Sequence, residues 1–266
     1  MARRARAAVW RGGRGARCGA AGVVRGARAA AWCGAAGVVR GRLRGVAAVL
    51  IEKGQKMTDE LSVSEQKAAM RRQVLAKRNA IGVAARAIKS DVICQEAIPQ
   101  IEAHLSKLEL EKPAVVALFS ALGSEVDLSG IVRYAQHKGW RLAFPVMLFQ
   151  EEDPGYTMVF VQVDAETALA KEEDFLAKPA KNLDPATFDF DRFPVIDVKE
   201  FNAFIVPLVA FDDHLGRLGY GGGNYDRYQL GVRADCWLSG VAFAEQQVEQ
   251  VPREEHDVPL VQVITA

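Results

Sequence analysis

The segment 217–227, which reads Arg-Leu-Gly-Tyr-Gly-Gly-Gly-Asn-Tyr-Asp-Arg, constrains the fold of this chain more than any other stretch. Glycine occupies position 219 and positions 221–223. Glycine adopts positive φ readily and lets backbone N–H groups come close to a ligand. A run of such N–H groups ahead of a helix forms a binding site for anions, and the helix dipole strengthens it. The segment therefore predicts a phosphate-binding turn that leads into a helix. The alternative is a flexible glycine-rich hairpin.

The residues around these glycines limit which classes of phosphate-binding loop the segment can be. Arg217 and Arg227 flank the turn and suit phosphate oxygens, while Tyr220 and Tyr225 offer flat faces and hydroxyls for a ring. The dinucleotide-binding fingerprint requires glycine at position 224, where Asn224 stands, and directly follows a strand. The P-loop requires a Gly-Lys pair, and no glycine in the chain is followed by lysine. The turn therefore matches neither of these two common nucleotide loops.

Short apolar runs alternate with helical periodicity along residues 57–266. Ser62 and Glu65 have the spacing of a capping box at the start of the first helix, and Pro99 interrupts or kinks the second. Residues 164–202 give no clear assignment. The predicted helices cover 63–80, 84–106, 128–137 and 224–230, and the predicted strands cover 114–119, 141–145, 156–163, 204–207, 237–243 and 260–264. This alternation predicts an α/β fold with a mostly parallel central sheet flanked by helices.

Residues 1–56 differ in composition from the rest of the chain. They hold 13 of the 34 Lys and Arg but only 1 of the 33 Asp and Glu, so residues 57–266 carry 21 basic and 32 acidic side chains, a formal charge of −11. An acidic surface repels phosphates, so we expect no nucleic-acid partner for this second part. The leader is rich in Arg, Ala and Gly and repeats Cys18–Gly26 as Cys33–Gly41. Because each helical glycine costs about 1 kcal/mol, we expect disorder there.

Three explanations of the leader remain open. An arginine-rich, acid-poor start resembles an organelle transit peptide, although residues 1–56 contain no serine. A basic nucleic-acid-binding arm is the second possibility. The third, which we favour, is that Met57 is the natural start and that the leader is translated upstream sequence. Two domains are thus expected, a leader over 1–56 and a globular domain over 57–266.

Cysteine and histidine spacing favours neither a zinc site nor a disulfide framework. The cysteines at positions 18, 33, 94 and 236 form no Cys-x-x-Cys pair and no Cys/His cluster. We expect Cys94 and Cys236 to be packed core thiols. His214 lies near the glycine turn without an identifiable partner and receives no role. No apolar run approaches the roughly 20 residues that a membrane-spanning helix needs.

Four landmarks in one register from Met57 to the end resemble the 5-formyltetrahydrofolate cyclo-ligase family. The hallmark is Val206-Pro207, Ala210-Phe211-Asp212 and then the glycine turn of 217–227. Lys67-Ala-Ala-Met-Arg71 is similar to the family's N-terminal lysine and arginine, and 119–127 to its folate-binding turn. Glu-His-Asp-Val-Pro at 255–259 is similar to its C-terminal acidic motif. The family's fold resembles that of sugar-phosphate isomerases and CoA-transferases.

The resemblance implies conversion of 5-formyltetrahydrofolate and ATP to 5,10-methenyltetrahydrofolate, ADP and phosphate. The γ-phosphoryl group activates the formyl oxygen, and N10 then closes the ring. ATP is a co-substrate and Mg²⁺ the cofactor. The residues implied are Lys67, Arg71, Arg217, Leu218, Gly219, Tyr220, Gly221, Gly222, Gly223, Asn224 and Tyr225 for ATP; Ser120, Glu125 and Tyr220 for folate; Asp226 and Asp257 for the metal; Arg217 and Tyr225 for catalysis.

Four of these residues have a plainer alternative. Lys67 and Arg71 lie on one helix face, which by spacing alone is a solvated basic face shared with Arg72, Lys77 and Arg78. Asp226 could instead cap the helix after the turn, and Glu125 could be an ordinary loop acid.

Two stretches depart from the family pattern. Asn224 stands where an aromatic residue is usual, and 171–179 lacks the usual Gly-Ile and Glu-Pro. Pocket details at these two places are therefore not carried over from the family. Two other functions also stay open, a nucleotide- or sugar-phosphate-binding regulator that has lost the chemistry and a phosphosugar isomerase, whose fold the family's fold resembles. We expect a cytoplasmic monomer that acts on small molecules and contacts no membrane.

Overall fold

The computed structural model describes residues 62–152, 155–254 and 257–266. The predictions for the leader over 1–56 lie outside the described residues. The helices are α1 (Val63–Ala80), α2 (Val83–Leu105), α3 (Ser129–Lys138), α4 (Ala165–Ala170), α5 (Asp174–Ala177) and α6 (Asn224–Gly231). The strands are β1 (Val115–Ala117), β2 (Arg141–Phe149), β3 (Tyr156–Val163), β4 (Asn182–Leu183), β5 (Phe201–Pro207), β6 (Ala210–Phe211), β7 (Arg217–Leu218), β8 (Trp237–Ala242) and β9 (Val263–Thr265).

One sheet of seven strands forms the centre of the described part, in the order β3-β2-β1-β5-β8-β9, with β4 paired to β2. All of its pairings are parallel except that of β2 with β3. Strands β6 and β7 form a separate antiparallel pair just ahead of the glycine turn. The predicted α/β class with a mostly parallel sheet is confirmed.

Several predicted boundaries differ from the structure. Helix α2 runs from Val83 to Leu105, close to the predicted 84–106, and Pro99 lies inside it without interrupting it. Strand β2 runs to Phe149 because it stays paired with β3 as far as Tyr156, and β5 begins at Phe201 because that residue pairs with Val115 of β1. The last strand covers 263–265 rather than 260–264, since the backbone N–H of Leu260 donates to Leu215 and not to the sheet. Strand β3 pairs antiparallel with β2, because the connection between them is too short for the crossover that a parallel pair needs.

The two faces of the sheet are covered by different helices. Helices α2 and α3 pack on one face with side chains such as Ile101 and Ile131. On the other face Tyr225 and Tyr228 of α6 pack against Phe160 and Phe204. Among the described residues, no helix is both long enough and apolar enough to cross a membrane.

Gly240 in β8 lies where the neighbouring side chains leave no room for a Cβ atom. A Cβ atom there would lie 2.6 Å from Cδ1 of Leu260 and 2.9 Å from Cδ2 of Leu208. We therefore expect Gly240→Ala to lower the free energy of unfolding by about 1–3 kcal/mol, the usual cost of overpacking a core. Gly82→Ala is the control, because no atom lies within 4 Å of a Cβ there. Chemical denaturation of both variants checks this, and equal midpoints would contradict it.

Candidate active site

A cavity of about 870 Å³ opens where the glycine turn meets α1 and the segment after β1. Phe119 and Pro207, which lie at the carboxyl ends of β1 and β5, line it. Ligands of open α/β sheets characteristically bind beyond the carboxyl ends of the strands. The cavity brings together all of the predicted site residues, Lys67, Arg71, Ser120, Glu125, Arg217, Leu218, Gly219, Tyr220, Gly221, Gly222, Gly223, Asn224, Tyr225, Asp226 and Asp257.

The glycine turn has the backbone that the sequence predicted, but only at some of its positions. Gly221 has φ +106° and Gly223 has φ +62°, whereas positive φ does not occur at Gly219 or Gly222. At Gly222 space is the constraint, since a Cβ would lie 3.0 Å from the Tyr156 hydroxyl. No described residue accepts a hydrogen bond from the backbone N–H groups of 220–226. These N–H groups are thus available to an anion at the start of α6.

Arg217 and Asp226 form an ion pair at the start of α6. The Arg217 side chain is buried and Asp226 is partly exposed to the cavity. In the amide orientation that satisfies both groups, Oε1 of Gln229 accepts from Nη2 of Arg217 at 3.0 Å and from Nη1 at 3.3 Å. The alternative that Asp226 caps the helix is wrong, because Gly223 is the N-cap and no side chain caps it. Asp226 instead anchors the arginine.

Lys67 lies between two carboxylates from the C-terminal segment. Its ammonium donates to Oε2 of Glu254 at 2.7 Å and to Oδ2 of Asp257 at 2.5 Å. Burial lowers the pKa of Lys67, but the hydrogen bonds to Asp257 and Glu254 outweigh it and raise that pKa above its usual value. Lys67 therefore carries a full positive charge at the cavity wall.

Helical spacing alone allowed the basic residues of α1 to form a solvated face, and this interpretation is wrong for two of them. Lys67 and Arg78 are buried, while Arg72 and Lys77 are exposed. Arg71 is half-buried, and its Nε donates to the carbonyl oxygen of Gly219 at 2.8 Å. One side of α1 thus turns its cations toward the cavity and the other turns them to solvent.

The opposite wall contains Ser120 and Glu125. The Ser120 hydroxyl donates to the carbonyl oxygen of Leu176 at 2.6 Å, and Oε2 of Glu125 accepts from the Leu122 N–H at 2.7 Å. Burial raises the pKa of Glu125, while the Leu122 N–H and the Arg78 cation act in the opposite direction. Glu125 is thus a buried acid held in the cavity wall, not an ordinary loop acid.

Two tyrosines complete the wall. Burial and the Glu125 charge raise the pKa of Tyr220 to about 12. Burial also raises the pKa of Tyr225, whose ring packs against Phe160 and Phe204 with centroids 6.5 and 6.1 Å apart. Both phenols keep their protons at neutral pH, so each is a hydrogen-bond donor rather than a base.

The two stretches that depart from the family pattern behave differently. Asn224 donates to Sδ of Met147 at 3.9 Å and accepts from Arg227, so its amide is engaged beside the cavity. Residues 171–179 include α5, and Pro179 reaches the cavity wall. Sequence reasoning missed four side chains here. Arg78, Glu254 and Tyr156 make their contacts with segments distant in the chain, and Gln229 contacts Arg217 across the glycine turn.

Cys94, Cys236 and His214 lie outside the cavity lining. Cys94 is buried, as predicted, but Cys236 is only partly buried at the edge of the core. Burial raises the pKa of Cys94 to about 11 and that of Cys236 to about 12, so neither is a thiolate at neutral pH. The contacts of His214 are made by its backbone: its N–H donates to Oδ1 of Asp212, and its carbonyl oxygen accepts from Nη2 of Arg253.

Comparison with known proteins decides the family. Residues 63–266 match the 5-formyltetrahydrofolate cyclo-ligase family. The chain belongs to this family. A 5-formyltetrahydrofolate cyclo-ligase of Haemophilus influenzae is 24% identical over 193 residues, which are 71% of this chain and 97% of that protein. One of Escherichia coli K12 is 29% identical over 151 residues, which are 56% of this chain and 76% of that protein.

A solved structure supports the fold of this cyclo-ligase family member. The 5,10-methenyltetrahydrofolate synthetase of Mycoplasma pneumoniae superposes with a TM-score of 0.52 at 19% identity. The match covers 74% of this chain and 97% of the other. The family and fold expected from the sequence are therefore confirmed, while the roles of the individual site residues stay predictions.

Proposed function

We propose that this chain converts 5-formyltetrahydrofolate and ATP to 5,10-methenyltetrahydrofolate, ADP and phosphate. The observation that carries the proposal is a single cavity with a cationic glycine turn on one side and Ser120 and Glu125 on the other. Its volume of about 870 Å³ lies toward the upper end of the roughly 300–1,000 Å³ typical of small-molecule sites. Two substrates that react with one another need such a shared space.

The glycine turn and α1 would bind the phosphates of ATP. The N–H groups of 220–226 have no described acceptor, and the cations of Lys67, Arg71 and Arg217 lie around them. Charge-assisted hydrogen bonds from such groups are the usual means of holding a triphosphate. Lys67 would exchange its contacts with Glu254 and Asp257 for phosphate oxygens when ATP binds.

The opposite wall would bind the folate. An ionised Glu125 accepts hydrogen bonds and so suits the N–H donors of the pterin ring. Ser120 and Tyr220 both line the cavity, and their hydroxyls can orient the substrate. Because Tyr220 belongs to the glycine turn and Glu125 to the folate wall, the two substrates would meet between them.

The donor set of the cavity fits Mg²⁺. Asp226 and Asp257 both line the cavity and offer hard oxygen ligands, and Mg²⁺ in phosphate sites usually takes one or two carboxylates with phosphate oxygens. No cluster of three or more His, Cys, Asp or Glu side chains of metal-site geometry occurs among the described residues. Asp226 and Asp257 are the carboxylates that this chain would contribute, and bound Mg²⁺ would supply charge neutralisation to the triphosphate.

The chemistry asks for alignment and charge neutralisation more than for a protein nucleophile. The formyl oxygen forms a bond to the γ-phosphorus as the bond between that phosphorus and the β,γ-bridging oxygen breaks. N10 then attacks the activated carbon, phosphate leaves, and N10 loses its proton. Arg217 would offset charge on the phosphoryl group, and the protonated Tyr225 hydroxyl would donate to an oxygen nearby. Both groups are held in place by buried contacts.

A single assay tests the proposal. Purified protein is mixed with 5-formyltetrahydrofolate and Mg-ATP, and the absorbance of the methenyl product is followed. We expect an ATP-dependent rise. A protein that only binds these compounds gives no product, and a phosphosugar isomerase acts on its own substrate without ATP. Absence of an ATP-dependent signal would contradict the proposal.

Gly221 provides a test of the phosphate turn. Its φ of +106° is strained for any other residue, and an added Cβ would lie 3.4 Å from the Arg71 guanidinium. We expect Gly221→Ala to raise the KM for ATP about 10-fold, the effect of losing one charge-assisted contact. Gly139→Ala is matched, because it has φ +70° at the end of α3 and open space around it. Both variants should lose about 1 kcal/mol of stability, but a raised KM in both would contradict the assignment.

A further inference from the structure

Arg78 is the most deeply buried arginine near the cavity, with 3% of its surface exposed. It lies near the end of α1 and does not itself line the cavity. Its Nε donates to Oγ of Ser124 at 2.9 Å, and its Nη2 donates to the hydroxyl of Tyr220 at 2.6 Å. Its Nη1 lies 3.9 Å from Oε1 of Glu125 and has no hydrogen-bond partner.

These contacts tie together two walls of the cavity. Ser124 and Glu125 belong to the segment after β1, whereas Tyr220 belongs to the glycine turn. Ser124 also donates to Oδ1 of Asn79, so the end of α1 holds the first segment at two points. The Arg78 guanidinium lies 5.8 Å from the centre of the Tyr220 ring, which restricts that side chain further. Arg78 thus contacts both walls at once.

Burial of this cation is not explained by packing alone. Moving a guanidinium out of water is costly unless its charge and its N–H groups are matched. Ser124 and Tyr220 are neutral, so the Glu125 carboxylate is the group beside Arg78 that offsets its charge. At 3.9 Å that pair is an ion pair without a hydrogen bond, and Nη1 keeps an unused donor beside it.

We propose that Arg78 is a positioning residue that fixes the Tyr220 hydroxyl and the Glu125 carboxylate relative to one another, and so couples the ATP side of the cavity to the folate side. The inference rests on the proposed function, because both groups matter only if folate binds there. Arg78 acts through these two side chains and has no direct contact with the reacting atoms.

The electrostatic consequence concerns Glu125. Burial raises the pKa of this carboxyl, and the Arg78 cation opposes that rise. The titratable groups that face Glu125 are Arg78 from α1, Tyr220 from the glycine turn and Tyr225 from α6. Both phenols are neutral near pH 7, so Arg78 is the cation among them. Without it the pKa of Glu125 rises further, and the carboxylate is lost at a higher pH.

The experiment compares Arg78→Met and Arg78→Lys with Arg72→Met, a control on the exposed side of the same helix. Binding of 5-formyltetrahydrofolate is measured by calorimetry without ATP, and turnover is measured across pH. For Arg78→Met we expect the Kd and KM for the folate to rise about 10–100-fold, the effect of removing a buried charged partner. The KM for ATP should change less than about 3-fold, and the acid limb of kcat/KM should move to higher pH. Arg78→Lys should return the acid limb of kcat/KM part of the way to its wild-type pH, because lysine keeps the positive charge but lacks the planar set of N–H donors of the guanidinium.

A double-mutant cycle with Tyr220→Phe separates positioning from stability. If Arg78 acts through Tyr220, the double variant loses less folate-binding free energy than the sum of the losses in the two single variants. Thermal unfolding of each variant shows how much structure is lost. Equal folate Kd and pH limb in Arg78→Met and Arg72→Met would overturn this inference alone. A wild-type protein that neither binds nor converts the folate would overturn the proposed function, and with it this inference.

Discussion

Replacing Lys67 with methionine should reduce kcat/KM for ATP by about 10²–10³-fold, the loss that follows removal of one preorganised charge from a phosphoryl-transfer or oxyanion site. The side chain is 92% buried and its ammonium is held at the cavity wall by Glu254 and Asp257. Methionine keeps the length and packing of the stem but removes the cation. The KM for the folate should change little, because Glu125 and Ser120 lie on the opposite wall.

The control is Lys77→Met on the exposed side of the same helix. It should leave both KM values and kcat within about 2-fold, as is usual for surface substitutions. Lys67→Met also removes a buried cation from beside Glu254 and Asp257, so its unfolding free energy must be measured beside its activity. Lys67→Arg keeps the charge and should retain more activity than Lys67→Met. Equal kcat/KM for ATP in Lys67→Met and Lys77→Met would rule out a phosphate role for Lys67.

The sequence predicted the members of the site better than their contacts. Lys67, Arg71, Val74 and Arg78 follow one another at helical spacing on one face of α1, and Val74 is buried in the middle of that stripe. A stripe of cations with one valine has the pattern of a solvated face. It is buried because Glu254, Asp257, Ser124 and Tyr220 reach it from elsewhere. These partners lie 46–190 residues away along the chain, and local periodicity carries no information about them.

The fold shows the same division between local and distant information. The short buried runs at 114–119 and 204–207 predicted strands, because strands covered on both faces are apolar throughout. Apolar character alone did not distinguish Leu260 in a loop from Ile264 in a strand. Leu260 is buried because it fills the space above Gly240, while its N–H donates to Leu215. Side-chain packing was thus predictable at that position, and backbone pairing was not.

Asp226→Asn should abolish most turnover at limiting Mg²⁺, with a loss of about 10²-fold in kcat. The turnover of this variant should recover in part when the Mg²⁺ concentration is raised. The amide keeps the size of the side chain but is a poor ligand for a hard cation. Asp235→Asn is the matched control, since Asp235 also pairs with an arginine but does so on the exposed surface. Turnover is measured against Mg²⁺ concentration at saturating ATP and folate. Unchanged turnover at limiting Mg²⁺ would exclude a metal role for Asp226.

The Mg²⁺ titration also separates the two roles that Asp226 can have. Its ion pair holds the buried Arg217, and Gln229 also accepts hydrogen bonds from that guanidinium. If holding Arg217 were its whole role, Asp226→Asn would lose activity and about 1–3 kcal/mol of stability at every Mg²⁺ concentration. A metal ligand instead shifts the Mg²⁺ dependence, and excess metal compensates for its weaker binding by mass action. Recovery of turnover at high Mg²⁺ therefore identifies Asp226 as a metal ligand in addition to its ion pair with Arg217, whereas a loss that Mg²⁺ cannot reverse identifies it as the anchor of Arg217 alone.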